Sequence, residues 1–264
     1  MLRDRALSAL VFVPFIVLAL WLGEPWVSLL VGAVALGGVW ELYGIARQAH
    51  HRPLVPLGLL LTALFILNPH SPDPRTSPLL LTLAVALPFL WLLFRRKMEG
   101  AFADGLWTLA GALYLGWMLG NFISLRTLEH GREWAVLAVF GTFAVDTSAY
   151  FVGRALGRHA LVPILSPGKT WEGAVGGLAG GMAATFALSA LLRLPLGWLE
   201  TAALGLLLAV FAQLGDLVES LLKRSTGVKD AGNLIPGHGG LLDRLDSLIF
   251  GGAVVYYYVI WVVK

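Results

Sequence analysis

Between one polar break and the next, this chain repeatedly offers an apolar run close to the ~20 residues that span a bilayer as a helix. The runs fall at roughly 6–23, 25–46, 53–68, 77–94, 104–125, 134–152, 172–192, 196–222 and 245–263. In lipid every backbone N–H and C=O must be satisfied within its own segment, so runs of this kind fold as helices. The expected fold class is an all-α polytopic integral membrane protein of nine transmembrane helices. The number becomes eight if the short run at 53–68 is re-entrant rather than a crossing. Composition agrees, with 58% of residues hydrophobic and 13% charged, whereas soluble domains carry about 25% charged residues. Having no cysteine, the chain lacks disulfides, thiolate zinc sites and thiol nucleophiles. A net charge of +3 is too small to argue for a nucleic-acid partner. The first run follows Arg3 and Arg5 like a signal peptide, but no small-x-small cleavage site precedes Glu24, and it is expected to remain as an anchor.

Lysine and arginine placement sets the orientation. With the N-terminus inside, only Arg75, Arg126, Arg132, Arg193 and Lys264 of the 19 Lys and Arg fall on the outer side. Positive charge collects on cytoplasmic loops, so the expectation is N-in, C-out, in the inner membrane of a bacterium. Polar chemistry divides the chain unevenly. Residues 1–100 read as plain N-terminal spans, and residues 101–264 as a catalytic region with cytoplasmic loops at 153–171 and 225–243.

The densest polar stretch is 216–246, DLVESLLKRSTGVKDAGNLIPGHGGLLDRLD. Asp216 and Glu219 are three apart, as are Asp243 and Asp246, so each pair shares one face if helical. The segment between them is too rich in Gly and Pro to be helical. A helix, a polar loop and a second helix would bring the acidic pairs together at one end. Asp216, Asp243 and Asp246 then suit a divalent cation, and Lys223, Arg224, Lys229 and Arg244 suit phosphates. His238, flanked by glycines, is a turn residue or a donor to substrate; with no second His or Cys nearby it does not argue for zinc.

A second polar stretch spans 146–173, DTSAYFVGRALGRHALVPILSPGKTWEG. Asp146 lies inside an apolar run, where an ionisable group is a functional candidate by default. Ser166, Lys169 and Thr170, just before a helix, would offer hydroxyls, an ammonium and backbone N–H groups to a phosphate, with Arg154 and Arg158 close by. This is no P-loop: the G-x4-G-K-[ST] pattern lacks its first Gly, and no strand precedes it.

Plainer readings stand beside these. Asp243 could cap a helix. Asp216 could pair with a lysine for structure alone, Glu219 with Lys223 four residues on, and Asp146 with its polar neighbours. Lys169, Lys229, Arg154 and Arg158 could be topogenic. Glu41 and Asn121, isolated within spans, read as helix–helix hydrogen bonders. Trp21, Trp26, Trp134 and Trp261 sit where an interfacial aromatic belt would.

From Ser220 to Asp246 the order S-x-x-K-R-x4-K-D-x-G-x2-I-P-x-H-G-G-x2-D-R-x-D resembles the signature of the phosphatidate cytidylyltransferase (CDP-diacylglycerol synthase) family. The D-T-x-A-Y-x2-G-R-x2-G-R-H segment at Asp146–His159 and S-P-x-K-T-W-E-G at Ser166–Gly173 extend the resemblance over about residues 140–250. Ala231 stands where relatives often carry Ser. The resemblance implies transfer of CMP from CTP to phosphatidic acid, giving CDP-diacylglycerol and pyrophosphate. It implies Mg2+, with room for a second cation, held by Asp216, Asp243 and Asp246, and a cavity open to both water and bilayer. The attacking phosphate monoester, with a second pKa of ~6, is already largely dianionic at neutral pH, so neutralising charge matters more than a general base. A homodimer is compatible with a chain of this size. The alternatives are a cytidylyltransferase or kinase acting on another lipid phosphate or alcohol, and an ion-coupled transporter using Asp146 and Asp216. A CDP-alcohol phosphotransferase is disfavoured because D-G-x2-A-R is absent.

Overall fold

In the computed structural model, residues 14–71, 73–94, 98–228, 232 and 240–263 are described. Among them the regular secondary structure is helical except for one two-stranded hairpin. The helices are α1 (14–22), α2 (Trp26–Gln48), α3 (Val55–Leu67), α4 (Thr76–Leu93), α5 (Ala101–Gly111) and α6 (Met118–Arg126). They continue with α7 (Gly131–Leu156), α8 (Trp171–Leu191), α9 (Trp198–Ser225) and α10 (Asp246–Tyr258). A π-helical stretch, Ala112–Trp117, joins α5 to α6.

Among the described residues, seven helices are long and apolar enough to cross a membrane, with α5 and α6 counting as one. The expected run at 53–68 becomes Val55–His70, α3 plus one 3-10 turn, which is shorter than those seven. The first expected span is seen only from residue 14 onward, the rest lying outside the described residues. The chain is thus a polytopic helical membrane protein.

Two compact units form. One comprises Met1–Ile123 with Ser225–Asp243, the other Ser124–Arg224 with Arg244–Lys264. The first is tied by buried polar groups. Tyr43 on α2 is fully buried and its hydroxyl donates to the Thr108 carbonyl at 2.7 Å. Its ring fits against α3 and α5 at Gly58 and Gly111, where a Cβ would strike it. The link from α2 to α3 is pinned to α5: the Arg52 N–H donates to Asp104 Oδ1 at 2.5 Å and the Leu54 N–H to Thr108 Oγ1 at 2.8 Å. An apolar cluster of Leu61, Phe65, Leu80, Ala84 and Ala112 packs α3, α4 and the π stretch together.

In the second unit, α7 and α8 run side by side. The buried positions of α8 are Gly173, Gly177, Gly181, Thr185 and Ser189, one small residue every four. Lipid offers no hydrophobic drive between helices, so small residues that let backbones touch decide the pairing. At Gly177 a Cβ would come within 3.0 Å of the Ala149 Cβ and 3.2 Å of Gln213 Nε2, so α7 and α9 both close on that point.

The segment expected as loop 153–171 is partly ordered structure. Helix α7 continues to Leu156, and β1 (Ala160–Val162) then pairs antiparallel with β2 (Ser166–Thr170). Thr170 ends β2 and caps α8, its Oγ1 accepting from the Gly173 N–H at 3.1 Å. Strand and helix are therefore continuous.

Candidate functional site

The polar residues of the second unit converge where α7, α8, α9 and the hairpin meet. A cavity of about 470 Å³ opens there, lined by Asp146, Tyr150 and Arg154 of α7, Leu161, Lys169 and Thr170 of the hairpin, and Gln213 and Asp216 of α9. Gln213 ties the wall together, its Nε2 donating to the Ala174 and Ala209 carbonyls at 3.3 and 3.0 Å.

The centre of the cluster is an ion pair. Lys169 Nζ lies 2.7 Å from Asp216 Oδ2, the two side chains 24% and 37% exposed. Residues 47 positions apart in sequence meet because β2 runs directly into α8 while α9 packs on that helix. Asp246 opens α10. A side chain at Gly215 would run into the Asp246 carbonyl, so α9 and α10 touch one residue from Asp216. Asp146 on α7 accepts from Ser247 Oγ at 3.1 Å. The carboxylates of Asp146, Asp216 and Asp246 lie in one another's field, with Lys169 attracting both Asp146 and Asp246. Three carboxylates facing one ammonium leave excess negative charge, and a hard cation meets that need through oxygen donors.

Other expected residues take plainer positions. Lys223 Nζ pairs with the buried Glu219 Oε1 at 3.1 Å. Arg224 Nε donates to the Leu165 carbonyl at 3.3 Å, tying α9 to the hairpin. Arg154 Nη1 donates to the Tyr150 hydroxyl at 3.0 Å at the cavity rim. Arg158 keeps an exposed side chain and donates its backbone N–H to Glu172 Oε2 at 3.1 Å. Glu172 also pairs with His159 Nδ1 at 2.6 Å. Ser166 opens β2 opposite Val162, half-buried. Thr170 Oγ1 is engaged by its helix cap. Arg244 is exposed, at the end of the 3-10 turn Leu242–Arg244. In the first unit, Asp243 Oδ2 accepts from the Gly240 N–H at 3.0 Å, the local capping role weighed from sequence. Lys229 and His238 lie outside the described residues. Among those that are described, no three His, Asp or Glu side chains close on one point as a preformed metal centre.

Ser247 escaped the sequence reading, since a serine at the start of an apolar run looks like any other. Glu41 was noticed and misplaced. Its partner is not a neighbouring span but the N–H of Leu242, 2.8 Å from Oε2.

A sequence profile described as the cytidylyltransferase family matches residues 3–262. Among curated relatives, the phosphatidate cytidylyltransferase of Brucella abortus biovar 1 (strain 9-941) is 42% identical over 156 residues, 58% of this chain and 56% of that protein. The chain thus spans little more than half the length of that relative. Longer alignments also occur. The phosphatidate cytidylyltransferase of Pseudomonas aeruginosa is 34% identical over 254 residues, covering 94% of this chain and 93% of the relative. That of Synechocystis sp. is 32% identical over 284 residues, covering 97% and 96%. None of these names favours the transporter or kinase alternatives.

Proposed function

The chain belongs to the cytidylyltransferase family, and on that premise we propose that it transfers CMP from CTP to phosphatidate, releasing pyrophosphate and leaving CDP-diacylglycerol in the membrane. The observation that carries this reading is the gathering of Asp146, Arg154, Lys169 and Asp216 around one cavity of an otherwise apolar helical unit, with Lys169 2.7 Å from Asp216. Charge at membrane depth is costly and persists where a site needs it.

In the reaction, an oxygen of the phosphatidate monoester attacks the α-phosphorus of CTP. A new P–O bond forms as the bond to the β-phosphate breaks, and pyrophosphate departs. The nucleophile is already largely dianionic, so the chain's task is to position two polyanions and screen their repulsion. Lys169 at the cavity wall and Arg154 at its rim supply the positive charge nearest the acidic cluster. The carboxylates of Asp216 and Asp246 would hold Mg2+, which when bound supplies further charge neutralisation and orientation. Mg2+ is commonly held by one or two carboxylates plus substrate phosphates, so a closed cage of three protein ligands is not required. Asp243 as a third ligand, Lys229 and His238 as substrate contacts, and a second cation rest on the signature order alone. So do Ser166, Arg158, Lys223, Arg224 and Arg244 as phosphate contacts.

The same proposal places the site on the cytoplasmic side of a bacterial inner membrane, with nine spans, N-in and C-out, and admits a homodimer. A reporter fused after Gly232 should read cytoplasmic; a periplasmic signal there would reverse the orientation. The decisive assay supplies purified protein in detergent with labelled CTP and phosphatidate, with and without chelator. Pyrophosphate and CDP-diacylglycerol should appear together and vanish with chelator. Product formed only with a different lipid phosphate would reassign the acceptor, and none with any acceptor would remove the activity.

A further inference from the structure

Lys169 meets Asp216 only while the hairpin that carries it stays in place, and a hairpin this small does not hold itself. Its strands, three and five residues long, pair at Ala160–Thr170 and Val162–Ser166 with an irregular register between. An isolated two-stranded hairpin is marginally stable at best in water. Its turn is tied to α9, where Arg224 Nε donates to the Leu165 carbonyl. Its open end is tied by Glu172, a residue to which the proposed reaction gives no task.

Glu172 is the second residue of α8, its side chain 26% exposed. Oε2 accepts the backbone N–H groups of both Arg158 and His159, at 3.1 and 3.3 Å. Oε1 lies 2.6 Å from His159 Nδ1, which donates to it. The Trp171 N–H donates to the His159 carbonyl at 2.9 Å, so the ladder continues past the ends of the strands. The same stretch is closely packed: a Cβ at Gly157 would come within 2.8 Å of Thr170 Oγ1. Residues 157–159, leaving α7, are thus held against residues 170–172, entering α8.

An acidic residue in the first turn of a helix is favoured by the helix dipole alone. Here, however, Thr170 already caps α8 through the Gly173 N–H, and both Glu172 oxygens engage the entry to β1 instead. A carboxylate suits that place because it is an acceptor at two oxygens, enough for two adjacent N–H groups and a ring nitrogen. What it fixes is the start of β1. That strand pairs with β2, which bears Lys169 three residues before Glu172.

We propose that Glu172 is a positioning residue for nucleotidyl transfer: it closes the base of the hairpin and so holds Lys169 at Asp216 for substrate. The kinetic arm of the proposal rests on the cytidylyltransferase reading, and the structural arm does not.

The test uses the full-length protein in detergent, with Glu172→Ala and Glu172→Gln, each alone and combined with Lys169→Ala. Glu172→Ala should speed amide hydrogen exchange across residues 158–170 by about tenfold or more, a local opening below global unfolding. The melting temperature should change little. Turnover should fall by about 10- to 100-fold, the scale of a catalytic group displaced by about 1 Å. Glu172→Gln, whose amide oxygen can still accept the Arg158 and His159 N–H groups, should restore most of both. Because Glu172 acts through Lys169, adding Glu172→Ala to Lys169→Ala should lower turnover by less than about twofold more.

Unchanged exchange in Glu172→Ala would overturn the clamp, as would faster exchange that comes only with a lowered melting temperature and is not rescued by Gln. Faster exchange with full turnover, or losses that multiply in the double variant, would overturn the link to Lys169. Exchange needs no substrate, so a wild-type protein that makes no product from phosphatidate, beside a Glu172→Ala hairpin that opens, would instead strike the assigned reaction.

Discussion

The two units of this chain place their charged and polar groups differently. In the first, four of them are engaged with backbone: Tyr43 with the Thr108 carbonyl, Asp104 with the Arg52 N–H, Thr108 with the Leu54 N–H, Glu41 with the Leu242 N–H. In the second, charge faces charge across a cavity, Lys169 against Asp216 with Asp146 and Asp246 in range. The first arrangement fixes where loops run. The second gathers charged side chains around a cavity. A buried carboxylate in a membrane protein therefore does not by itself mark chemistry, and what it points at decides.

Five substitutions sharpen or break that contrast. The largest effect should come from Asp216→Asn or Asp246→Asn, which should cut CDP-diacylglycerol formation by ~100-fold or more, the loss of several kcal/mol of charge stabilisation, with the melting curve nearly intact. Lys169→Ala should follow, lowering turnover by ~10- to 100-fold, because Asp216 loses its counter-charge and the substrate a cation. Gly177→Val should spare the chemistry and attack the scaffold. Over-packing the α7–α8 contact should cost about 1–3 kcal/mol, read as a lowered melting temperature. Smallest in turnover should be Asp104→Ala, which leaves the Arg52 N–H unpaired and costs about 1–3 kcal/mol of stability. If Asp104→Ala abolishes turnover in a protein that still melts normally, the division between anchoring and reacting carboxylates fails.

Much of the architecture could be read from the chain because membrane spans are written in composition and length. Seven long apolar helices stand where seven of the expected runs lie, and the short run at 53–68 stays short. The hairpin was missed for a local reason. Its strands, Ala160–Val162 and Ser166–Thr170, are too brief for alternation to show, and Pro163 with Pro167-Gly168 reads as loop. The small-residue stripe on α8 is visible in the letters once the four-residue spacing is sought. Candidate residues were nameable from the motifs, but their partners were not. Lys169 finds Asp216 and Glu41 finds Leu242 only through packing of distant segments, which no local pattern encodes.

The stripe on α8 also bears on how this sequence can drift. Gly173, Gly177, Gly181, Thr185 and Ser189 sit on the buried side, while Trp171, Val175, Phe186 and Leu191 face outward and exposed. A variant library across this span should therefore split by position: the outward residues should exchange freely among greasy side chains of any bulk, and the inward ones should admit little beyond alanine or serine. For anyone adapting the protein to another host membrane, α8 can be repainted on one side only.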